Sequence, residues 1–387
     1  MKQNYLIITP FFPDNNSFVG SYVYDQVKAI KKEGTYNPIV VRLKTIYDDF
    51  QGAYEFEGVQ CIEFKVFDFP SFIFPTLFHR INNFRFRRFL KLNDINDFSL
   101  CHAHVTYPAG YLAVALKPHF ACKVIVQHHG LDVMQLDLGK TLMGSIKRLQ
   151  NNYLTKRGQN VLNQVDLNVG VSQLVLDQFT KQKINLSGKT TVLYNGVDYS
   201  KFYPVKKKKK SYSSNLFIIG CIGNFWPLKD QITLIKAIEE LVRIDEKEIM
   251  VKFLGEGVEL EKCKEYIKDK RISKYFSFQS SIPHNDLNNF YNSIDLFALP
   301  SYYEALGCVY LESYAAGKPF IAVYGQGIEE LMSKDVRNSY LIKKGDYKDL
   351  SKKITQCKNK ELPNLTINRS LDIGILVGEF LEKVKAL

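Results

Sequence analysis

Leu296-Phe297-Ala298-Leu299, a loop through Ser301-Tyr302-Tyr303-Glu304-Ala305-Leu306, the run Gly307-Cys308-Val309-Tyr310-Leu311-Glu312-Ser313-Tyr314-Ala315-Ala316, the stop Gly317-Lys318-Pro319 and a second apolar run, Phe320-Ile321-Ala322-Val323, follow one another in this chain. They read as strand, loop, helix and strand. A glycine just past a helix and a proline two residues later are stop signals, because glycine tolerates the left-handed cap and proline cannot continue the helix. The spacing predicts a helix from about Gly307 to Gly317, with Glu304 in the loop before it and Glu312 in its second turn. The amides near Leu306, Gly307 and Cys308 then open towards whatever lies above the sheet. Amides without helical partners, together with the helix dipole, favour an anion there.

The same alternation extends in both directions. Before the middle of the chain the strand candidates are Tyr5–Thr9, Pro38–Leu43, Val59–Val66, Leu100–Val105, Lys123–Gln127, Leu167–Val171 and Thr191–Leu193. After it they are Phe217–Ile222, Met250–Leu254, Tyr275–Phe278, Leu296–Leu299, Phe320–Val323 and Tyr340–Ile342. Such runs are apolar on both faces and separated by helix-length segments, which is the pattern of parallel sheets covered on both sides. The fold class is therefore α/β, doubly wound. The alternation breaks near 199–215, where five lysines, Lys206–Lys210, precede a serine-rich stretch. That composition suits an exposed connection between two domains, 1–200 and 201–369. At 387 residues the chain also exceeds what one core usually organises.

Composition narrows the function less than it narrows the fold. Net charge is +12, yet the excess is local: residues 80–91 hold five basic residues and no acidic one, and Lys206–Lys210 hold five more. Such clusters can meet nucleic acid or anionic lipid, and charge alone does not choose. The seven cysteines form no CxxC pair, and several lie in apolar runs, so reduced, buried thiols in a cytosolic protein are expected. No apolar run reaches the 18 residues of a membrane span, and the N-terminus reads as a first strand rather than a signal peptide.

Two carboxylates beside an anion site make sense for a ligand that carries both hydroxyls and phosphates, as a sugar nucleotide does. Carboxylates accept from hydroxyls, while amides and lysines hold the diphosphate. Taken alone, Glu304 could equally cap the helix and Glu312 be a solvated side chain. The run from Glu304 to Glu312, with Glu-Ala-Leu-Gly-Cys at its start and Ala-Ala-Gly-Lys-Pro at its end, resembles the E-x7-E signature of retaining glycosyltransferases of the GT-B fold, specifically glycosyltransferase family 4 of group 1 type. That resemblance implies two Rossmann-like domains facing across a cleft, with the last stretch, about 370–387, packing back on the first domain.

Further motifs follow in the family's order. Gly223-Asn224-Phe225-Trp226-Pro227-Leu228-Lys229 is similar to the glycine–arginine loop that grips the donor diphosphate. Lys229 keeps its place and would open the next helix, while Asn224 stands where the family has arginine. His128-His129-Gly130-Leu131-Asp132 resembles H-G-x-D, which makes His129 the sugar-contacting histidine and His128 its structural neighbour. Gly20, after Phe11-Phe12-Pro13, resembles the glycine of the first loop, which faces donor phosphate and acceptor. Without a family match, each of these has a plain reading: a helix-start lysine, a strand-end histidine held by hydrogen bonds, a turn glycine. His102-Ala103-His104 offers a metal pair, but no third ligand stands at suitable spacing. Asn195-Gly196 reads as a turn, since that pair favours positive φ. In residues 69–91 aromatics mix with arginines, and the apolar positions 77, 78, 81, 84 and 89 partly follow helical spacing. A helix lying on anionic lipid and a core helix with a basic outer face both fit.

By this resemblance the chain moves a sugar from a nucleotide donor, UDP- or GDP-linked, to a hydroxyl of a glycan or lipid-linked acceptor. The implied setting is bacterial surface polysaccharide or lipid-linked glycan assembly, in the cytoplasm or peripherally on the inner face of its membrane. Glu304, His129 and Lys229 are the expected catalytic residues. Gly20, Gly223, Asn224, Lys229, Glu304, Leu306, Gly307, Cys308 and Glu312 are the expected donor contacts. The chain contains no Asp-x-Asp, so neither a metal nor another cofactor is expected. A catalytically silent GT-B-like binding or assembly protein is the alternative, kept open by Asn224. A sugar-nucleotide epimerase or glycan phosphorylase shares the fold class without this E-x7-E context. No RNA- or DNA-binding signature supports a nucleic-acid partner.

Overall fold

The computed structural model describes residues 2–15, 17–68, 76–130, 153, 155–205, 216–244 and 248–387. Leu131, Asp132, residues 69–75 and the Lys206–Lys210 run lie outside the described residues. The chain divides into two compact units: Met1–Gly196 with Ile373–Leu387, and Val197–Asp372.

The strands of the first unit are β1 (Gln3–Thr9), β2 (Tyr36–Thr45), β3 (Ala53–Phe56), β4 (Val59–Val66), β5 (Leu100–His104), β6 (Lys123–His128), β7 (Leu167–Gly170) and β8 (Lys189–Val192). They form one sheet in the order β3-β4-β2-β1-β5-β6-β7-β8. Only β3 runs antiparallel, as a hairpin on the outer side of β4. The sequence reading passes over β3. It is a half-exposed edge strand, and Glu57 and Gly58 turn it with φ of 43° and 83°. The usual Asn-Gly signal for such a turn is absent.

Alternate residues of β1 enter different cores, as a doubly covered sheet requires. Leu6 and Ile8 pack with Phe64, Phe86 and Leu90, whereas Tyr5 and Ile7 pack with Val27, Ile30 and Phe380. The second core includes the C-terminal helix Ile373–Lys385, whose Leu376, Val377, Phe380, Leu381 and Val384 face the sheet beside the helix Ser21–Glu33. Those five positions recur at helical spacing, which is why this segment buries one stripe. Gly196, the last residue of the first stretch, is not a turn. Its φ is not positive, and a Cβ there would lie 2.6 Å from the Ile373 Cα. Glycine is needed for that close passage of backbone rather than for chain reversal.

In the second unit β9 (Phe217–Ile222), β10 (Ile249–Leu254), β11 (Phe276–Gln279), β12 (Leu296–Ala298), β13 (Phe320–Val323) and β14 (Leu341–Ile342) form a wholly parallel sheet ordered β11-β10-β9-β12-β13-β14. Numbered within the unit, that order is 3-2-1-4-5-6, and the direction of winding reverses between β9 and β12. Ligands of such sheets sit outside the carboxyl ends of the strands at that reversal. In the first unit the corresponding reversal falls between β1 and β5. Among the described residues no helix is long and apolar enough to cross a membrane.

Candidate functional site

In the second unit, the loops leaving β9 and β12 meet at the reversal point. The first runs from Gly223 through a single 3-10 turn, Pro227–Lys229, before the helix Gln231–Arg243 begins. Lys229 therefore ends a separate turn instead of opening that helix. Asp230 follows with φ of 51° and accepts a 2.6 Å hydrogen bond from Thr233 Oγ1. Burial raises its pKa above the usual carboxylate value. The second loop, Leu299–Leu306, is tied to the first by Tyr302 N to Leu228 O at 2.7 Å and Ser301 Oγ to Leu228 O at 3.0 Å. These bonds set Lys229 Nζ 2.5 Å from Glu304 Oε1, with side chains 26% and 11% exposed.

The loop after β13 supports Glu304 from the other side. Gly327 N donates to Glu304 O at 3.2 Å, and a Cβ at Gly327 would fall 1.9 Å from Ala305 O. The helix that follows Glu304 spans Cys308–Ala315, with Gly307 as its N-cap at φ 84° and no side-chain cap. Gly317, at φ 74°, closes it. Tyr310, fully buried, donates to Leu299 O at 2.8 Å and so pins the first turn to the residue just after β12. A Cβ at Gly307 would meet the Tyr310 ring at 2.5 Å. Leu306 is buried, while Gly307 and Cys308 are half-buried. One turn on, Glu312 Oε2 accepts a 2.7 Å hydrogen bond from Tyr291, whose phenol stays protonated because burial, and then Glu312 itself, raise its pKa.

Asn224 is exposed, and among the described residues its carbonyl, not its side chain, is engaged, by Gln231 Nε2 at 3.1 Å and Trp226 N at 2.8 Å. Sequence reasoning missed the partner of this loop, Gly255-Glu256-Gly257 after β10. A Cβ at Gly255 would lie 2.3 Å from Gly223 O, and one at Gly257 would lie 2.5 Å from Phe225 O. A glycine pair immediately after a strand is the signal that could have found it.

In the first unit, Gly20 caps the helix Ser21–Glu33 at φ 89°, and a Cβ there would lie 2.4 Å from the Phe11 carbonyl carbon. Its loop is anchored through Asp14 by the buried Arg42 at 2.5 Å. His129, just past β6, is buried. Its ring lies 5.0 Å from that of Tyr22 and 5.2 Å from that of His104, and Nε2 is 2.9 Å from His104 Nδ1. His104 stacks in turn on His102 at 4.7 Å, and His102 Nδ1 shares a 2.9 Å hydrogen bond with Tyr5. Burial depresses both inner imidazoles, His102 to about 3 and His104 well below the ordinary value. His102 and His104 thus form a neutral stack behind His129. His128 instead turns to Asn168 Oδ1 at 3.1 Å. Among the described residues no three His, Cys, Asp or Glu side chains are grouped as metal ligands.

Paired Rossmann-like units with loops of this kind at the carboxyl ends of their strands define the class, the GT-B glycosyltransferases. Residues 19–201 match Glycosyltransferase Family 4 and residues 204–370 match Glycosyl transferases group 1, so the chain belongs to that family of glycosyltransferases. An uncharacterized glycosyltransferase of Methanocaldococcus jannaschii is 26% identical over 269 residues, 69% of this chain and 68% of that one. The GDP-mannose-dependent monoacylated alpha-(1-6)-phosphatidylinositol monomannoside mannosyltransferase of Corynebacterium glutamicum is 25% identical over 85% of this chain and 82% of its own. Among solved structures, sucrose-phosphate synthase from Thermosynechococcus elongatus has a TM-score of 0.74 at 16% identity, with both chains fully covered. Anabaena HepE in complex with UDP has 0.69 at 16%, again with full coverage of both. At that identity the two structures speak for the fold alone.

Proposed function

We propose that the chain is a metal-independent, retaining hexosyltransferase that uses a UDP- or GDP-linked sugar. The acceptor is a glycan or lipid-linked hydroxyl in bacterial surface polysaccharide or lipid-linked glycan assembly. The observation that carries the reading is the Lys229–Glu304 pair at the sheet's reversal point, next to a helix start that no side chain caps. It places a cation, a carboxylate and backbone amides on one small surface, the combination a sugar nucleotide requires. Two relatives are named for donors and acceptors of this kind, the GDP-mannose-dependent enzyme above being one and an Escherichia coli diphosphoundecaprenol galactosyltransferase the other.

In this proposal Lys229 and the amides of Leu306, Gly307 and Cys308 hold the diphosphate, and Gly223 and Asn224 line its approach. Glu304 orients the transferring sugar and Glu312 holds the ribose, while Gly20 and His129 keep the donor-binding and catalytic roles that the family resemblance implies. The bond from the anomeric carbon to the phosphate oxygen breaks, and a bond to the acceptor oxygen forms on the same face. The acceptor proton passes to the departing phosphate, so the nucleoside diphosphate leaves with it and no protein nucleophile is needed. Fixed donors and a cation aimed at the charge that develops on that phosphate supply the main acceleration. The enzyme works in the cytoplasm, peripherally at the inner face of the membrane, where lipid-linked acceptors lie.

Thermal denaturation with UDP, GDP and CMP, and with their sugar derivatives, tests the reading. A ligand at about a hundred times its dissociation constant stabilises the folded state by about 2.7 kcal/mol. One nucleotide is expected to stabilise the native chain and not Glu312→Ala. Asn224 in the family's arginine position favours a second reading, a silent binding partner. Nucleotide binding without hydrolysis or transfer of any donor sugar would establish that one instead.

A further inference from the structure

His102 and His104 stand two positions apart on β5, so both side chains leave the same face of the sheet. The helices Ser21–Glu33 and Ile373–Lys385 cover that face, and the His102 ring lies 5.8 Å from that of Phe380. In the sequence this His-x-His spacing also suits a metal pair. The structure gives each Nδ1 a partner within the protein instead: Tyr5 for His102 and His129 for His104. His104 is the last residue of β5, and its register partner on β6 is Gln127. His129 lies two residues beyond Gln127, which brings its ring over the same face.

Three rings enclose the His129 imidazole, those of Tyr22 at 5.0 Å, His104 at 5.2 Å and Phe11 at 6.4 Å. Tyr22 lies in the first turn of the helix that Gly20 caps, and Phe11 lies in the loop before it. Such walls set the plane of the imidazole but do not tell its two edges apart. A half-turn of the ring exchanges Nδ1 with Cδ2 and Nε2 with Cε1 at little steric cost. The 2.9 Å contact between His129 Nε2 and His104 Nδ1 does tell them apart, because a turned ring would set Cε1 against that nitrogen. One proton sits between the two nitrogens, and the ring that carries it donates to the other. Burial, and then the neighbouring His102 and His129, depress the His104 pKa and keep that ring neutral.

We propose that His104 is a positioning residue for His129: by holding Nε2 it fixes which edge of the imidazole faces a sugar. His104 is 1% exposed, so it acts through His129 rather than by touching a ligand. A buried polar pair of this kind favours the observed orientation by roughly tenfold. The inference rests on the proposed function, in which His129 is the sugar-contacting histidine.

Side-chain 15N NMR of the full chain at about pH 8, above the ordinary histidine range, reads the ring directly. The signal missing from His129→Gln identifies His129. In the native chain that signal is expected to show a single tautomer, with one protonated and one bare ring nitrogen. His104→Leu keeps the bulk without the nitrogen, and there the two His129 shifts should move together as the tautomers mix. His104→Asn places an amide where Nδ1 stood and should restore the native signature. Hydrolysis of UDP-, GDP- and CMP-linked sugars gives the second readout. In His104→Leu, kcat should fall roughly tenfold, while the dissociation constant of the nucleoside diphosphate stays within about twofold. His104→Asn should recover kcat to within about threefold of native. A role in stability alone would lower the thermal midpoint and leave the His129 signature and kcat as they are. An unchanged His129 signature in His104→Leu, a tautomer mixture in the native chain, or native kcat in His104→Leu would overturn the inference and leave the proposed function standing. The expected signatures in a native chain that neither hydrolyses nor transfers any of these sugars would uphold the hold of His104 on the ring and overturn the proposed function instead.

Discussion

Lys229 and Glu304, 75 positions apart in the chain, meet as a 2.5 Å ion pair between the loops that leave β9 and β12. The pair draws together the cation proposed for the donor phosphate and the carboxylate proposed for the donor sugar. Before a nucleotide arrives, each neutralises the other in a half-buried setting. In the proposed function an incoming diphosphate would compete for the lysine and free Glu304 to accept from sugar hydroxyls. The pair thus presets both side chains at the point where both parts of the ligand are needed.

Glu304→Gln retains the shape and removes the charge. Turnover is expected to fall by roughly a hundredfold to a thousandfold, as when one preorganised group of an active site is lost. The dissociation constant of the free nucleoside diphosphate should change by less than about threefold, because Lys229 is released rather than lost. Steady-state kinetics and calorimetric titration check the two quantities separately. Equal loss in both would remove Glu304 from the sugar and leave it as a partner of Lys229 alone.

Most of the parallel strands were legible because they are buried on both faces, so Phe217–Ile222 and Phe320–Val323 stand out as unbroken apolar runs. Glu304 and Glu312 were legible because one loop and one helix fix their spacing. The hidden part lies wherever contact depends on elements that are neighbours in space. Tyr291 reaches Glu312, and His104 reaches His129, across 21 and 25 positions. No local period reports such a meeting. Gly255 and Gly257 were passed over for the same reason, since the backbone they admit belongs to Gly223–Phe225. Gly196 was misread because Asn-Gly resembles a turn, whereas the demand on it comes from Ile373.

Tyr291→Phe removes the hydroxyl that steadies Glu312. A buried hydrogen bond to a charged group is worth about 1.5–3 kcal/mol, so the thermal midpoint should drop by several degrees. The stabilisation conferred by nucleotide should shrink as well, if Glu312 holds the ribose in the orientation Tyr291 sets. Turnover at saturating donor should stay within about twofold. A lowered midpoint with an unchanged nucleotide effect would make Glu312 part of the scaffold only.

The neutral imidazole stack gives stability a direction in pH. An unfolded histidine takes up its proton near pH 6.5, while folded His102 resists until about 3, through burial first and then the neighbouring His129. His104 is depressed in the same direction by burial and by His102. In the acidic range the unfolded chain therefore binds more protons, and stability falls as pH drops below 6.5. Each group should remove about 1.4 kcal/mol between pH 7.5 and 5.5. Urea unfolding at the two pH values measures the loss, and His104→Gln should reduce it by about half. An equal loss in that variant would place the titration elsewhere.

Asn224 is exposed on the glycine loop, and among the described residues its carbonyl, not its side chain, is hydrogen-bonded. Replacing it with arginine therefore displaces no hydrogen bond of the side chain. Asn224→Arg adds a second cation to the loop that holds Lys229, and an arginine can meet a phosphate through two parallel donors. Affinity for the nucleoside diphosphate is expected to rise about tenfold, with little gain for the nucleoside alone, and to become more sensitive to salt. Calorimetric titration of UDP, GDP and the corresponding nucleosides reads both effects. Unchanged diphosphate affinity would show that residue 224 does not face the phosphates in this chain. A gain in affinity with no transfer in either the native chain or the variant would instead favour the silent binding partner.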